Sequence, residues 1–524
     1  MKQLRCLLML TVLGCLQAAS MAWPIAGDAY GQPQAWLQLA SLSGFAYFLD
    51  RSPSYQEAFV RSWVFASAWL IGSTWWLFIA LHVYGGLASV LAVLAVGLLG
   101  SGLALLYGLA GLVFHRYAKA GAPRIARGLV FASAWVLAEW ARGTLWTGFP
   151  WAAAGYAHVD GVLRHWAPWV GVYGLSALSA ALSMWLAAQQ QERVFRPVAY
   201  KVTLSVFVMC VATWAWWTSP SQQSGKESNK SLSVALVQGN VAQDLKFGAG
   251  AQQALANYRT ALLSTTADLV VTPETAIAYF PHQLPANYWQ DIRQHFARGE
   301  QAALVGIPLL GEDQKIYTNS ALGLLPGAAN YQYDKHHLVP FGEFVPPMFR
   351  WFLDLMNIPL GDFTPGGLIQ PSMMWRGERI APNICFEDLF GEELAQRFGD
   401  PANAPTLMVN MSNIAWFGNS IAIEQHLNIS RMRALELHRP MLRATNTGAT
   451  AVIDAQGQLV ARLPSGVQDT LIAQVRGVDE PPTSYAQWVC AYGLWPLVLL
   501  ALGTLLGVSW QLYLARHGQR RFAP

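Results

Sequence analysis

The chain has 524 residues, 53% of them hydrophobic and only 12% charged, with 23 tryptophans and a formal net charge of +4. So apolar a composition excludes a disordered chain and a simple soluble globule, and the small, scattered positive charge gives no support to a nucleic-acid partner. What remains is a membrane protein with a soluble part.

A membrane span needs about 20 consecutive apolar residues. Residues 1–218 offer seven candidates, near 5–22, 34–50, 59–82, 86–114, 127–148, 166–188 and 198–218, and an eighth covers 488–515. The first two are short. Lys and Arg near the span ends fix orientation. If all eight are real, Lys2 and Arg5, Arg51 and Arg61, the group Arg116 to Arg127, Arg193 to Lys201, and Arg516 to Arg521 share one side. That side is the cytoplasm, so both termini lie there and the large soluble region lies outside. A competing reading makes residues 1–20 a cleaved signal peptide, since Lys2 and Arg5, an apolar run and Ala18-Ala19-Ser20 have that form. Trp75-Trp76, Trp166 with Trp169, and Trp214 with Trp216 and Trp217 fall near span ends, as an interfacial belt would. Glu139 is the one carboxylate inside a predicted span, which is weak support for an ion pathway.

Ser219 to Lys230 is a polar linker rich in Ser, Gln and Lys. From 231 the texture changes to strands and helices in alternation. Strands are predicted at 233–238, 268–272, 302–308, 316–325, 330–335, 379–384, 406–411 and 441–446, with a hairpin about Gln456-Gly457. Helices are predicted at 250–265, 286–299, 388–397 and 421–437. Interleaving over about 250 residues describes one α/β domain. The organisation is then a seven-span domain (1–218), a linker (219–230), an extracytoplasmic α/β domain (231–485), and the eighth span with a tail (486–524).

Chemistry-bearing residues sit at strand ends in that domain. Pro273-Glu274 closes the strand at 268–272, putting Glu274 at the carboxyl edge where open α/β sheets gather their active sites. Lys335 follows the strand at 330–335, and Glu343 lies in the irregular loop beyond it. Cys385 stands on a strand-to-helix turn, followed by Glu387 and Asp388; helix amides there would lower the thiol pKa. Taken singly, each has a bland alternative: a capping Glu, a solvated Lys, a buried Cys. Together Glu274, Lys335 and Cys385 supply a base, a cation and a nucleophile, a complete set for acyl transfer. Of the five cysteines, Cys385 is the only one well inside the soluble region, so disulfide scaffolding is not expected there. His336-His337 on extended chain point to opposite sides, and no metal or cofactor motif is present in the sequence.

These residues resemble the carbon–nitrogen hydrolase (nitrilase) superfamily. Longer strings resemble the apolipoprotein N-acyltransferases within it: Lys335 with His337-Leu338-Val339-Pro340-Phe341-Gly342-Glu343, Ile384-Cys385-Phe386-Glu387, Ala415-Trp416-Phe417-Gly418, Arg431 to Glu436, and Arg443 to Gly448. The resemblance implies an αββα sandwich at the periplasmic face of a bacterial inner membrane, and a ping-pong reaction. Cys385 would take an acyl chain as a thioester from a phospholipid, usually phosphatidylethanolamine, and pass it to the α-amine of a diacylglyceryl-cysteine at the start of an apolipoprotein. Glu274 would be the base and Lys335 the oxyanion partner, with Glu343 and Glu387 assisting. Phe247, Phe386, Trp416 and Phe417 would contact substrate. The sequence departs from the family pattern at Phe247 (often Trp), Phe386 (often Tyr) and Ile414 (often Asp).

A thioester needs shelter from water, so an apolar, lidded pocket is expected around Cys385, with 344–367 and the loop around Trp416 as lids. Two alternatives stay open at this point: a membrane-anchored amidase using the same triad, and a lipid-binding scaffold in which the triad is idle.

Overall fold

The computed structural model describes residues 1–189, 231–244, 246, 248, 250–311, 316–345 and 363–520. The predicted span at 198–218, the linker at 219–230, Phe247 and most of the predicted lid at 344–367 lie outside those residues. The chain forms two compact units. One holds Met1–Trp75 with the described parts of Val93–Gln222 and Tyr492–Pro524; the other holds Trp76–Ala92 and the described part of Gln223–Ala491.

The first unit is helical: Lys2–Met21, Ala35–Asp50, Tyr55–Thr74, Arg124–Thr144, Ala167–Gln189 and Trp495–Arg520, with most of Ser89–Lys119. Four helical stretches among the described residues are long and apolar enough to cross a membrane: Gln3–Met21, Ser89–Lys119, Val162–Ala188 and Trp495–His517. Their outward residues are apolar, with Leu94, Leu98, Leu499 and Leu506 all more than half exposed. The predicted spans 34–50 and 127–148 also fall on helices. Ala35–Asp50, however, has only 16 residues, and Arg124–Thr144 carries Arg124, Arg127, Glu139 and Arg142. Glu139 has a local structural role. It accepts from the Ala154 N–H at 2.9 Å and the Trp135 indole at 3.1 Å, while Arg142 Nη1 donates to the Phe149 and Trp151 carbonyls. The pair ties down the turn at 149–154.

The predicted span 59–82 is not one helix. Its helix ends at Thr74, and Trp76–Ala92 belongs to the second unit. The cause is Trp76: its indole N–H donates to Gln425 Oε1 at 3.0 Å and its ring lies 4.2 Å from that of Phe417. Trp76, which reads as bilayer surface, packs against protein instead, while its neighbour Trp75 is exposed.

The second unit is built on two six-stranded sheets. The first contains β1 (Leu232–Gln238), β2 (Leu269–Val271), β3 (Ala302–Leu310), β4 (Tyr317–Leu324), β5 (Tyr331–Asp334) and β12 (Asp469–Val475), in the order β12-β1-β2-β3-β4-β5. The second contains β6 (Met373–Trp375), β7 (Glu378–Ile384), β8 (Leu407–Ser412), β9 (Met441–Thr445), β10 (Ala451–Ile453) and β11 (Leu459–Arg462), in the order β11-β10-β9-β8-β7-β6. In each sheet a parallel trio, β1-β2-β3 or β7-β8-β9, is flanked by antiparallel strands.

Period-two alternation decides which residues face which layer. Val234, Leu236, Leu269, Val271 and Leu304 join Ile380, Leu407, Val409, Met411 and Leu442 in one buried core shared by both sheets. Their neighbours Ala235, Val237, Val270, Ala303 and Val305 face the other way, onto Leu255, Tyr258 and Leu262 of the helix Ala251–Ser264 and Ile292 and Phe296 of the helix Tyr288–Arg298. Most predicted strands coincide with observed ones within two residues. The helix predicted at 388–397 is instead broken into a 3₁₀ turn Cys385–Leu389, a short helix Gly391–Ala395 and a second 3₁₀ turn Gln396–Phe398.

Candidate active site

Cys385 follows β7 with φ +54°, a left-handed conformation that costs a non-glycine residue about 1–2 kcal/mol. The elbow is held by its own carbonyl and by Glu387. The Cys385 oxygen receives His426 Nε2 at 3.2 Å and Asn410 Nδ2 at 3.4 Å. Arg443 Nη2 lies 3.2 Å from His426 Nδ1 and can only donate, so Nδ1 is the acceptor and Nε2 carries the proton that binds Cys385. Burial, then the Arg443 charge, hold His426 well below the usual imidazole range, consistent with a neutral ring. Arg443 is anchored in turn by Asp388 Oδ2 at 3.3 Å and by Ser430.

Glu274 follows β2, and Lys335 follows β5. The Lys335 ammonium is 3.0 Å from Glu274 Oε1 and 2.8 Å from Glu343 Oε2, and is 1% exposed. Asn319, on β4, spans the same two carboxylates: its Nδ2 donates to Glu274 Oε1 at 2.9 Å and Glu343 Oε1 at 2.7 Å. Glu343 Oε2 also accepts the Val339 N–H at 2.8 Å, closing its own loop.

The two sheets meet at the site through Ser412 and Asn413. Ser412 Oγ donates to Cys385 Sγ at 3.4 Å, and the Asn413 N–H donates to Glu274 Oε2 at 3.0 Å. Asn413 is itself fixed by Gln243 and Asn446, each at 3.0 Å from its side-chain amide. Glu387 makes a second tie. It accepts from Ile384 N on its own turn, and from Tyr333 Oη at 2.9 Å, His336 N at 2.6 Å and His337 N at 3.3 Å beside Lys335. Asn319, Ser412, Asn413, Asn446 and His426 were not singled out from sequence. They are neutral polar residues whose roles local sequence does not show, even for Asn446 within the string Arg443 to Gly448, and the strand order brings them together.

Electrostatics correct one expectation. Burial, reinforced by the Glu274 carboxylate, pushes the Cys385 thiol up to about 12, against the pull of Lys335. The anticipated lowering relied on a helix beginning at 388, and a five-residue 3₁₀ turn supplies no comparable dipole. Burial alone would raise Glu274, but Lys335 and then Lys246 hold it below the usual carboxylate range. Burial would likewise lower Lys335, and Glu274 and Glu343 raise it instead. At neutral pH the cluster therefore rests as thiol, carboxylate and ammonium.

Of the aromatic residues expected to touch substrate, Phe386 is packed beside His337 and Phe390, at ring distances of 5.6 and 5.3 Å. Trp416 and Phe417 are half-buried in the 3₁₀ turn Ile414–Phe417, against Tyr84 at 5.8 Å and Trp76 at 4.2 Å respectively. His336 and His337 do diverge. His336 Nδ1 meets the Gly366 carbonyl at 2.8 Å and His337 Nδ1 meets Glu393 at 2.9 Å.

The partly exposed Cys385 and the buried Glu274 and Lys335 follow strands of a two-sheet α/β unit, and the family model described as carbon-nitrogen hydrolase matches residues 233–479. The helical region matches a different model, described as the apolipoprotein N-acyltransferase N-terminal domain, over residues 20–185. Curated relatives extend across both parts. The apolipoprotein N-acyltransferase of Verminephrobacter eiseniae is 49% identical, over 92% of this chain and 92% of its own. That of Ralstonia nicotianae is 42% identical, over 93% and 90%, and that of Pseudomonas putida 35%, over 92% and 93%. The chain belongs to the apolipoprotein N-acyltransferase family; it is an acyltransferase and a membrane protein.

Proposed function

We propose that this enzyme moves an acyl chain from a membrane phospholipid, with phosphatidylethanolamine the expected donor, through a Cys385 thioester to the N-terminal α-amine of a diacylglyceryl apolipoprotein. In the first half-reaction the Cys385 proton passes to Glu274 and sulfur attacks the ester carbonyl, while the Lys335 ammonium stabilises the oxyanion. The intermediate collapses, the lysophospholipid alkoxide leaves with the proton held by Glu274, and the thioester remains. In the second, the lipoprotein amine attacks that thioester and gives its proton to Glu274, and collapse forms the amide and releases the thiol. Glu343 and Glu387 hold the Lys335 and Cys385 loops. Phe386, Trp416 and Phe417 line the approach of the acyl chains.

The observation that carries this reading is the Ser412-Asn413 bridge, with one residue bonded to the thiol and the next to the carboxylate that Lys335 holds. The wider architecture follows as part of the same proposal: eight spans, an αββα sandwich at 231–485 outside the cytoplasm of a bacterial inner membrane, and both termini inside. Such an enzyme has reason to sit in the bilayer. Lifting a phospholipid acyl chain into water costs about 0.8 kcal/mol per methylene, whereas an anchored site meets both lipid substrates at the surface. Mass analysis of lipoprotein N-termini from cells lacking this protein is expected to show the free α-amine with its diacylglyceryl group. Fully N-acylated lipoproteins in those cells would refute the proposal.

A further inference from the structure

Lys246 lies beyond β1, in none of the roles above, and is almost fully buried. No ion pair among the described residues includes it. Its ammonium donates to the Glu274 carbonyl oxygen at 3.4 Å and to Thr275 Oγ1 at 2.5 Å. With Val241, Ala254, Leu255, Tyr258 and Ala276 it lines a small, mostly apolar cavity behind the catalytic carboxylate.

The turn it grips is strained. Thr275 has φ +45°, a conformation that β-branched residues avoid. The same turn is pressed onto β3 so closely that a Cβ at Gly306 would come within 2.1 Å of the Pro273 oxygen. A buried cation beside strained backbone, with hydrogen bonds to the residue that bears the base and to the next one, is costly unless its charge is used. Both the Glu274 carboxylate and the Cys385 sulfur act on that charge.

We infer that Lys246 is a positioning residue for the reaction: clamped on the Glu274 carbonyl and the Thr275 hydroxyl, it keeps the general base in its strained turn and gives the cluster a second positive charge besides Lys335. The inference rests on the proposed function only in naming the reaction; the geometry of the clamp is independent of the acyl donor. Burial drives Lys246 down to about 8, so a substantial share of its charge is lost above neutral pH. The other ionisable groups around Glu274 are Lys335 and Glu343 from the loop after β5 and Cys385 from the turn after β7, while Tyr258 and Tyr279 share the cavity with Lys246.

Two variants separate clamp from charge. Lys246→Met removes both, and Lys246→Gln keeps a donor without the charge. Each is read by phospholipid acylation across pH, by kcat against KM, and by the pH profile of Cys385 alkylation with iodoacetamide, which needs no acyl donor. Lys246→Met is expected to lower kcat about tenfold, with KM changed by less than about twofold. Both variants are expected to move the acid limb of acylation upward by about half a unit or more, because a carboxylate that loses a neighbouring cation is easier to protonate. The Cys385 alkylation profile should also move to higher pH in both. Folded variants with wild-type kcat and unmoved profiles would overturn the inference, as would a loss of thermal stability in Lys246→Met that Lys246→Gln shares without any change in either profile. A wild-type enzyme that took no acyl group from phospholipid would instead refute the proposed function, and the alkylation profiles would still test the clamp.

Discussion

The two sheets of the catalytic unit bring different things to one site. The first contributes ionised groups: Glu274, Lys335 and Glu343 form a buried ion triad spanned by Asn319. The second contributes neutral ones: a thiol, the Ser412 hydroxyl, the Asn413 amide and a neutral His426, with the Arg443–Asp388 pair kept behind the elbow. Separating them leaves the nucleophile protonated and inert while the charges that activate it stay compensated.

The strongest way to break that division is Lys335→Met. It removes the ammonium that Glu274 and Glu343 share, which costs roughly 3–5 kcal/mol of stability, and with it the proposed oxyanion partner, worth about 10²–10³ in rate. Thermal unfolding and acylation kinetics should show both losses. The sign of its pH effect is also fixed. Glu274 is held below its ordinary range in the folded protein, so its pairing stabilises the fold above that range and is lost as pH falls through the lower, folded value. In Lys335→Met that contribution is gone and burial pushes Glu274 upward instead, so the stability deficit of the variant should be largest near neutral pH and shrink as pH falls.

Glu387→Gln cuts the other tie between the sheets. A carboxamide turns an NH₂ toward one of the donors now bonded by the carboxylate, Ile384 N or the group His336 N, His337 N and Tyr333 Oη. Leaving such a donor unpaired costs about 1–3 kcal/mol. The variant should melt earlier, and kcat should fall more than the rise in KM, since the elbow and the Lys335 loop lose registry rather than substrate contacts. The smallest effect is expected from Ser412→Ala, which deletes one donor to sulfur. Alkylation of Cys385 at fixed pH should slow by about two- to tenfold, with little change in melting temperature. A larger loss of stability than in Glu387→Gln would reverse the order of importance given to the two bridges.

Much of the first sheet's contribution, though not Glu343, whose role came only from the resemblance, was legible in sequence, because charged residues after apolar runs mark strand ends, as Glu274 and Lys335 do. Cys385 was legible for the same reason. Its environment was not, since local sequence does not reveal that Gly391–Ala395 is too short a helix to polarise a thiol or that burial dominates. The amides Asn319, Asn413 and Asn446 lie in or beside buried strands, and their value depends on neighbours dozens of residues away. β6 was missed because three residues carry too little pattern, and Trp76 was misread because an aromatic pair beside an apolar helix is the same string whether lipid or Phe417 covers it.

Covalent loading of Cys385 tests the central claim most directly. Incubating the purified enzyme with a phospholipid carrying a labelled acyl chain, without an acceptor, should add one acyl mass to the peptide containing Cys385, removable by hydroxylamine and absent from Cys385→Ala. Label that never reaches this peptide, or a Cys385→Ala enzyme that still transfers the chain to an apolipoprotein amine, would contradict it.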